Sequence, residues 1–180
     1  MPSLTVRSSG AADWAALAAL YPAAFPDEDL LPLVAALLRQ PAEVLSLVAC
    51  EGEAIVGHAL FSVCSIVGSD CSAALLGPLA VTPAAQRKGI GSALIHDGLQ
   101  RLEAEGVALV CVLGNPAYYG RFGFRAESAV QPPYAPPPES MPPEWQGAWQ
   151  SLRLPGAEHR NCAGVLTVPP PWRDEVLWLP

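Results

Sequence analysis

The hydrophobic pattern switches between two periods along the chain. Leu4, Thr5, Val6 and Arg7 alternate and predict a short first strand. Residues 11–24 are alanine-rich, with Asp13 near the start, and predict a helix that Tyr21-Pro22 and Phe25-Pro26 break or end. Asp27, Glu28 and Asp29 then stand before a second predicted helix, 30–39, where its dipole favours acid. Pro32 suits that helix's first turn. Residues 46–50 and 55–67 are β-rich and are split by Glu51-Gly52-Glu53-Ala54, a hairpin signal. Gly57 inside the second run points to a bulge or a close packing contact.

Residues 73–81 are almost continuously apolar, the mark of a strand covered on both faces. Residues 92–105 place Ala93, Leu94, Leu99 and Leu102 at helical spacing, with Ile95 beside them, and Gly106 follows as a stop. Residues 107–113 predict another buried strand. Strand, helix and strand form a βαβ unit with parallel strands. Gly114-Asn115-Pro116 reads as a turn, 117–122 as a short helix ending at Gly123, and 124–126 as the start of a further strand. The tail changes character: residues 131–143 hold seven prolines, which exclude helix and central strand. Residues 151–154 and 164–168 are candidate strands. Trp145, Trp149, Trp172 and Trp178 are expected to pin the tail onto the body.

Composition narrows the classes. A chain of 180 residues, 51 % hydrophobic and 15 % charged, is expected to form one domain with a sizeable core. No apolar run reaches the ~20 residues of a membrane span, and MPSLTVRSSG lacks the basic-then-apolar order of a secretory leader. The net charge of −7 argues against nucleic acid and suits a cationic partner such as an amine. The five cysteines, at 50, 64, 71, 111 and 162, are odd in number and scattered. They are expected to be small buried hydrophobes in a reducing cytoplasm, with neither a disulfide framework nor a metal site.

The strongest chemical signal is the loop Gln86-Arg87-Lys88-Gly89-Ile90-Gly91, between the apolar strand and the helix. The first N–H groups of a helix have no partner within it, and its dipole places about half a positive charge there. Such an end seats an anion, and Arg87 and Lys88 add charge beside it. The G-x-G-x-x-G of dinucleotide sites is not met, because Leu94 stands at the third position.

This loop resembles the pyrophosphate loop of the GNAT superfamily of N-acetyltransferases, [RQ]-x-x-G-x-[GA]. Tyr119-x-x-x-Gly123-Phe124 matches a second motif of that superfamily. The run PLAV, QRKGIG, GNPAYYGRFGF is similar to the YhbS-like bacterial branch, with close resemblance over residues 74–126. The resemblance implies an α/β fold: a mixed, bent sheet flanked by helices, with splayed parallel central strands. The chain is expected to be one such domain, 1–180, with a proline-rich loop at 131–143 and an extension at 144–180. It implies acetyl transfer from acetyl-coenzyme A to a primary amine, small molecule or protein, in the cytoplasm, with a homodimer among the expected assemblies.

The resemblance also assigns residues. The backbone of Leu79, Ala80 and Val81 would pair with pantetheine, and the Leu79 N–H would polarise the thioester carbonyl. Gln86, Arg87, Lys88, Gly89, Ile90, Gly91 and Ser92 would hold the pyrophosphate, and Asn115 would meet the pantetheine. Tyr119 would protonate the leaving thiolate, while Tyr118 packs or faces the substrate. The glutamate that several members carry on the strand before the loop has no counterpart, because Leu75 and Leu76 stand there. Glu28 and Asp29 are the candidates beside the acceptor, against a plain role as helix-start acids. His58 and His96 read as structural or exposed. Two other classes stay open: a non-catalytic coenzyme A binding module, and an interaction protein using the P-x-x-P spacing at Pro133 and Pro136. The proline-rich loop is expected instead to border the acceptor pocket.

Overall fold

The computed structural model describes residues 3–135 and 141–179. Pro136, Pro137 and Pro138 of the proline-rich loop lie outside the described residues. The chain forms two compact units, Met1–Phe61 with Gly77–Arg101 and Ser62–Leu76 with Leu102–Pro180.

In the first unit, β1 (Leu4–Ser8) pairs antiparallel with β2 (Val44–Glu51), from Leu4↔Glu51 to Ser8↔Leu47. A tight turn at Gly52, φ 62°, leads into β3 (Ala54–Val67), which is followed in the sheet by β4 (Ser72–Val81). A one-turn 3-10 segment, Ala11–Asp13, precedes α1 (Trp14–Ala24), and α2 is Leu31–Leu38. Pro22 does not end α1. It sits in the last turn, where it removes one helical hydrogen bond, and the helix closes two residues later. Leu17, Leu20, Leu33, Val34 and Leu37 turn inward from these helices, as do Leu47, Leu60 and Phe61 from the strands. α3 (Ile90–Ala104) begins inside the loop itself, two residues earlier than its apolar spacing predicts. Gly57 is a close-packing position: a Cβ there would stand 2.8 Å from Ile90 Cγ2 and 3.3 Å from the Ala80 carbonyl oxygen. The start of α3 is thereby held against β3 and β4.

In the second unit, β4 pairs parallel with β5 (Leu109–Leu113) from Ala73↔Leu109 to Leu76↔Val112. β4 continues beyond that ladder to Val81. A short α4 (Pro116–Tyr119) and a 3-10 turn, Gly120–Phe122, lead to β6 (Arg125–Ala126). β8 (Trp149–Arg153) lies antiparallel to both β5 and β6. β9 (Gly164–Thr167) pairs antiparallel with β3 at Ser65–Val67 and parallel with β7 (Val130–Gln131), a two-residue strand too short for any periodic signal. The fold is thus a mixed sheet, mostly antiparallel with one central parallel pair, flanked by helices.

Three of the four tail tryptophans form one cluster. Trp149 and Trp172 each stand 5.9 Å from Trp178 between ring centroids. Their indole N–H groups donate to the carbonyl oxygen of Val130, Ser62 Oγ and the carbonyl oxygen of Trp172, so none is buried without a partner. Within the proline-rich segment, the Tyr134 hydroxyl donates to the Arg173 carbonyl oxygen at 3.1 Å.

The cysteine expectation needs correction at two positions. Cys71 and Cys162 are joined in a disulfide, with Cα atoms 5.5 Å apart and a sequence separation of 91. The turn into β4 and the loop before β9 bring them together, and no spacing rule reaches across such a separation. Cys50, Cys64 and Cys111 are free and buried, as expected of small hydrophobes. Burial pushes the Cys64 thiol up to about 12, so it stays protonated. Among the described residues no helix is long and apolar enough to cross a membrane.

Candidate active site

The candidate residues fall in both units. In the first unit, β4 delivers Leu79, Ala80 and Val81 directly to the loop. Leu79 and Val81 are half-buried and Ala80 is buried. A 3-10 turn, Pro83–Ala85, leads to Gln86, whose side-chain amide donates back to the Val81 carbonyl oxygen at 3.1 Å. The Gln86 side chain therefore closes the loop rather than reaching out from it. Arg87 has φ 62° and Gly89 φ 82°, two left-handed residues flanking Lys88. Arg87, Lys88 and Gly89 are exposed, and nothing lies within 4 Å of where a Gly89 Cβ would point. Backbone with left-handed residues of this kind can turn successive N–H groups toward one side. The Gly89 carbonyl accepts from Ala93 N at 2.9 Å, which starts α3 and leaves the amides of its first turn to an external acceptor.

Glu28 and Asp29 are exposed in the 25–30 segment between α1 and α2. They do not act as helix-start acids through a side-chain bond, because Leu30 is the N-cap of α2 and no side chain caps it. With Tyr21, Phe25 and Leu31 they line a cavity of about 390 Å³.

In the second unit, Asn115 is the N-cap of α4, its Oδ1 accepting from Ala117 N at 2.9 Å ahead of Pro116. Tyr118 lies under Arg121, whose guanidinium carbon is 4.6 Å from the ring centroid. Tyr119 meets the ring of Tyr118 at 5.0 Å and of Phe124 at 5.8 Å, both edge-on. A Cβ on Gly114 would stand 2.4 Å from Tyr119 Cε2, so this glycine makes room for the ring. Among the described residues the Tyr119 hydroxyl has no hydrogen-bond partner. Burial, and then Tyr118, push its pKa above the ordinary phenol value, so it carries its proton at neutral pH.

The sequence reading missed a buried polar chain in the first unit. The Tyr21 hydroxyl and His58 Nδ1 are 2.7 Å apart, His58 Nε2 and Ser46 Oγ 2.8 Å, and Ser46 Oγ and Ser9 Oγ 2.6 Å. Tyr21 is 1 % exposed and His58 is fully buried. Burial lowers the His58 pKa from 6.5 to about 4, with Asp13 opposing weakly. Asp13 itself is held down to about 2, chiefly by its two hydrogen bonds from Arg7.

Between pH 6.5 and 4 the unfolded chain protonates His58 and the folded chain does not, so stability is flat above 6.5 and falls with pH in that window. The fall is about 3 kcal/mol for a shift of this size. Asp13 adds a further loss only as pH drops from 3.8 toward 2. Urea midpoints recorded against pH check this. His58→Gln, which can keep both hydrogen bonds, is expected to flatten the curve between 6.5 and 4; an unchanged slope would assign it elsewhere.

Similarity to known proteins agrees with this geometry. The family model for the acetyltransferase (GNAT) domain matches residues 5–126. The uncharacterised N-acetyltransferase YjhQ of Escherichia coli K12 is 38 % identical over 143 residues, spanning 73 % of this chain and 76 % of YjhQ. The chain is therefore a member of the GNAT acetyltransferase family. Its fold is similar to that of the E. coli GNAT family N-acetyltransferase YhbS, solved in complex with CoA, with TM-score 0.81 and 26 % identity over 97 % of this chain and 94 % of that one. A GNAT family acetyltransferase from Brucella melitensis, solved with acetyl-CoA, gives TM-score 0.73 and 28 % identity over 95 % and 99 %. Among the described residues no group of three or more His, Cys, Asp or Glu could hold a metal ion.

Proposed function

We propose that this protein transfers an acetyl group from acetyl-coenzyme A to a primary amine. The observation that carries the reading is the loop 86–92: two left-handed residues, exposed Arg87 and Lys88, and the open first turn of α3, in a member of an acetyltransferase family. The E. coli and Brucella relatives solved with CoA and acetyl-CoA support the same donor.

In this reading the amides of residues 87–92 hold the pyrophosphate and Gln86 keeps the loop closed. The backbone of Leu79, Ala80 and Val81 pairs with the pantetheine, and Leu79 N–H polarises the thioester carbonyl. Tyr119 gives its proton to the leaving thiolate. Asn115 serves by capping α4, and Tyr118 by packing beside Tyr119. Glu28 and Asp29 attract a cationic acceptor to the cavity they share with Tyr21. A homodimer and a border role for the proline-rich loop belong to the same reading. So does a cytoplasmic location, on which the Cys71–Cys162 bond bears directly, since disulfides persist in oxidising compartments.

One observation favours a second reading, a donor-binding module without turnover. Leu75 and Leu76 are buried on the strand where the family resemblance implies a carboxylate. Turnover separates the two. Thiol release from acetyl-coenzyme A is measured with and without the lysine side chain of an N-acetylated tripeptide, and with an alanine-terminated tripeptide. The transferase reading expects amine-dependent release with acetylated product. Donor binding with no release for either amine would favour the module.

A further inference from the structure

The transfer just proposed lacks a base, and a buried chain of hydroxyls and one imidazole is left without a use. We propose that Tyr21, His58, Ser46 and Ser9 form a proton relay that takes the ammonium proton of the acceptor from the Glu28–Asp29 cavity to solvent on another face of the first unit. The inference rests on the amine-acceptor reading above.

The residues at the two ends of the chain each line a cavity. Tyr21 lines the cavity of about 390 Å³ with Phe25, Glu28 and Asp29. Ser9 and Ser46 line a second one, of about 690 Å³, with Trp14 and Arg39. Three contacts of 2.6–2.8 Å join the two ends. His58 also lies beside the donor strand, since its neighbour Gly57 abuts the Ala80 carbonyl oxygen. A purely structural buried histidine needs one donor and one acceptor. Here it has hydroxyls on both nitrogens, and a hydroxyl both takes and gives a proton.

The transfer balances at every atom. The ammonium N–H bond breaks as a proton reaches Tyr21 Oη, while the Tyr21 proton passes to His58 Nδ1. His58 Nε2 releases its proton to Ser46 Oγ, Ser46 to Ser9 Oγ, and Ser9 to water in the second cavity. The amine keeps its electron pair for attack on the thioester, and no charge is left inside. After product leaves, a proton entering at Ser9 and one leaving at Tyr21 restore the first tautomer. The groups facing His58 are Tyr21 from α1, Ser46 from β2 and, at longer range, the Asp13 carboxylate, neutralised by Arg7. Because burial keeps His58 neutral down to about 4, the relay is intact at physiological pH. Tyr21 meets the acceptor; His58, Ser46 and Ser9 are positioning residues that act through it.

The test compares two amines. At pH 7 a lysine side chain, pKa about 10.4, is protonated about 2,500 to 1, whereas a peptide α-amine, about 7.7–8.0, is protonated no more than about tenfold. Ser9→Ala removes the exit hydroxyl, and Ser9→Thr keeps it. Relay function predicts that Ser9→Ala loses at least ~10-fold in kcat on the lysine side chain of an N-acetylated tripeptide. It predicts no more than ~3-fold loss on an alanine-terminated tripeptide, with KM unchanged, and recovery in Ser9→Thr. Equal losses on both amines, or none on either, would overturn it. A second measurement needs no acceptor. The His58 ring N–H, followed by nitrogen-15 NMR, is expected to exchange with solvent at least ~10-fold faster in the wild type than in Ser9→Ala. Equal protection in both would overturn the relay. If the wild type acetylates neither amine, the acceptor class is wrong, and the ring-proton exchange alone decides.

Discussion

Tyr119→Phe is expected to lower kcat about 100-fold while leaving affinity for acetyl-coenzyme A unchanged. The loss is the usual lower range for removing a general acid. The substitution deletes one hydroxyl, for which no partner stands among the described residues. The ring keeps its edge-on contacts with Tyr118 and Phe124, and stability should change by less than ~1 kcal/mol. Gly114→Ala is the companion variant. It keeps the hydroxyl but places a methyl where Tyr119 Cε2 now stands, so kcat should fall with the acid still present. Thiol release gives kcat, and titration calorimetry gives the affinity. A Tyr119→Phe enzyme within twofold of the wild type would remove Tyr119 from the chemistry.

Gly164→Ala is expected to destabilise the protein by more than ~4 kcal/mol, the range of exceptional single substitutions. Gly164 has φ 138°, which L-residues rarely adopt. The added Cβ would lie 2.0 Å from the Val67 carbonyl oxygen and 3.0 Å from Ile66 Cγ2. A backbone oxygen cannot swing aside as a side chain can. Gly164 also opens β9, its N–H donating to the Ala129 carbonyl oxygen at 3.0 Å, and β9 ties β7 to β3. Urea unfolding of the variant should show a midpoint far below the wild type. A shift of under ~1 kcal/mol would mean that β9 does not meet β3 in this register.

Most of the elements were legible because burial imposes a period. The apolar run of 73–81 became β4, the 3.6-residue spacing after Gly91 became α3, and the Glu51–Ala54 break became a hairpin turn. The loop was legible for another reason: Arg87, Lys88, Gly89 and Gly91 between strand and helix carry charge and backbone freedom where an anion needs both. Contacts between distant residues left no such trace. Cys71 and Cys162 are 91 residues apart, and Tyr21, Ser46 and His58 come from three elements whose packing no local pattern encodes. Tyr119 was legible by its motif, but not the room Gly114 makes for it. Asn115 had a local signal that pointed elsewhere: asparagine followed by proline is a helix-start signature, and the structure uses it as one.

The measurement closest to the central claim is calorimetric titration of acetyl-coenzyme A into the wild type and into Gly89→Glu. Gly89 takes a left-handed φ and faces open space, so glutamate there adds backbone strain and sets a negative charge in the anion seat. The account predicts saturable binding by the wild type and at least ~100-fold weaker binding by a variant that circular dichroism shows to be folded, about 2.7 kcal/mol. Equal affinity in the two, or no binding by folded wild-type protein, would contradict it.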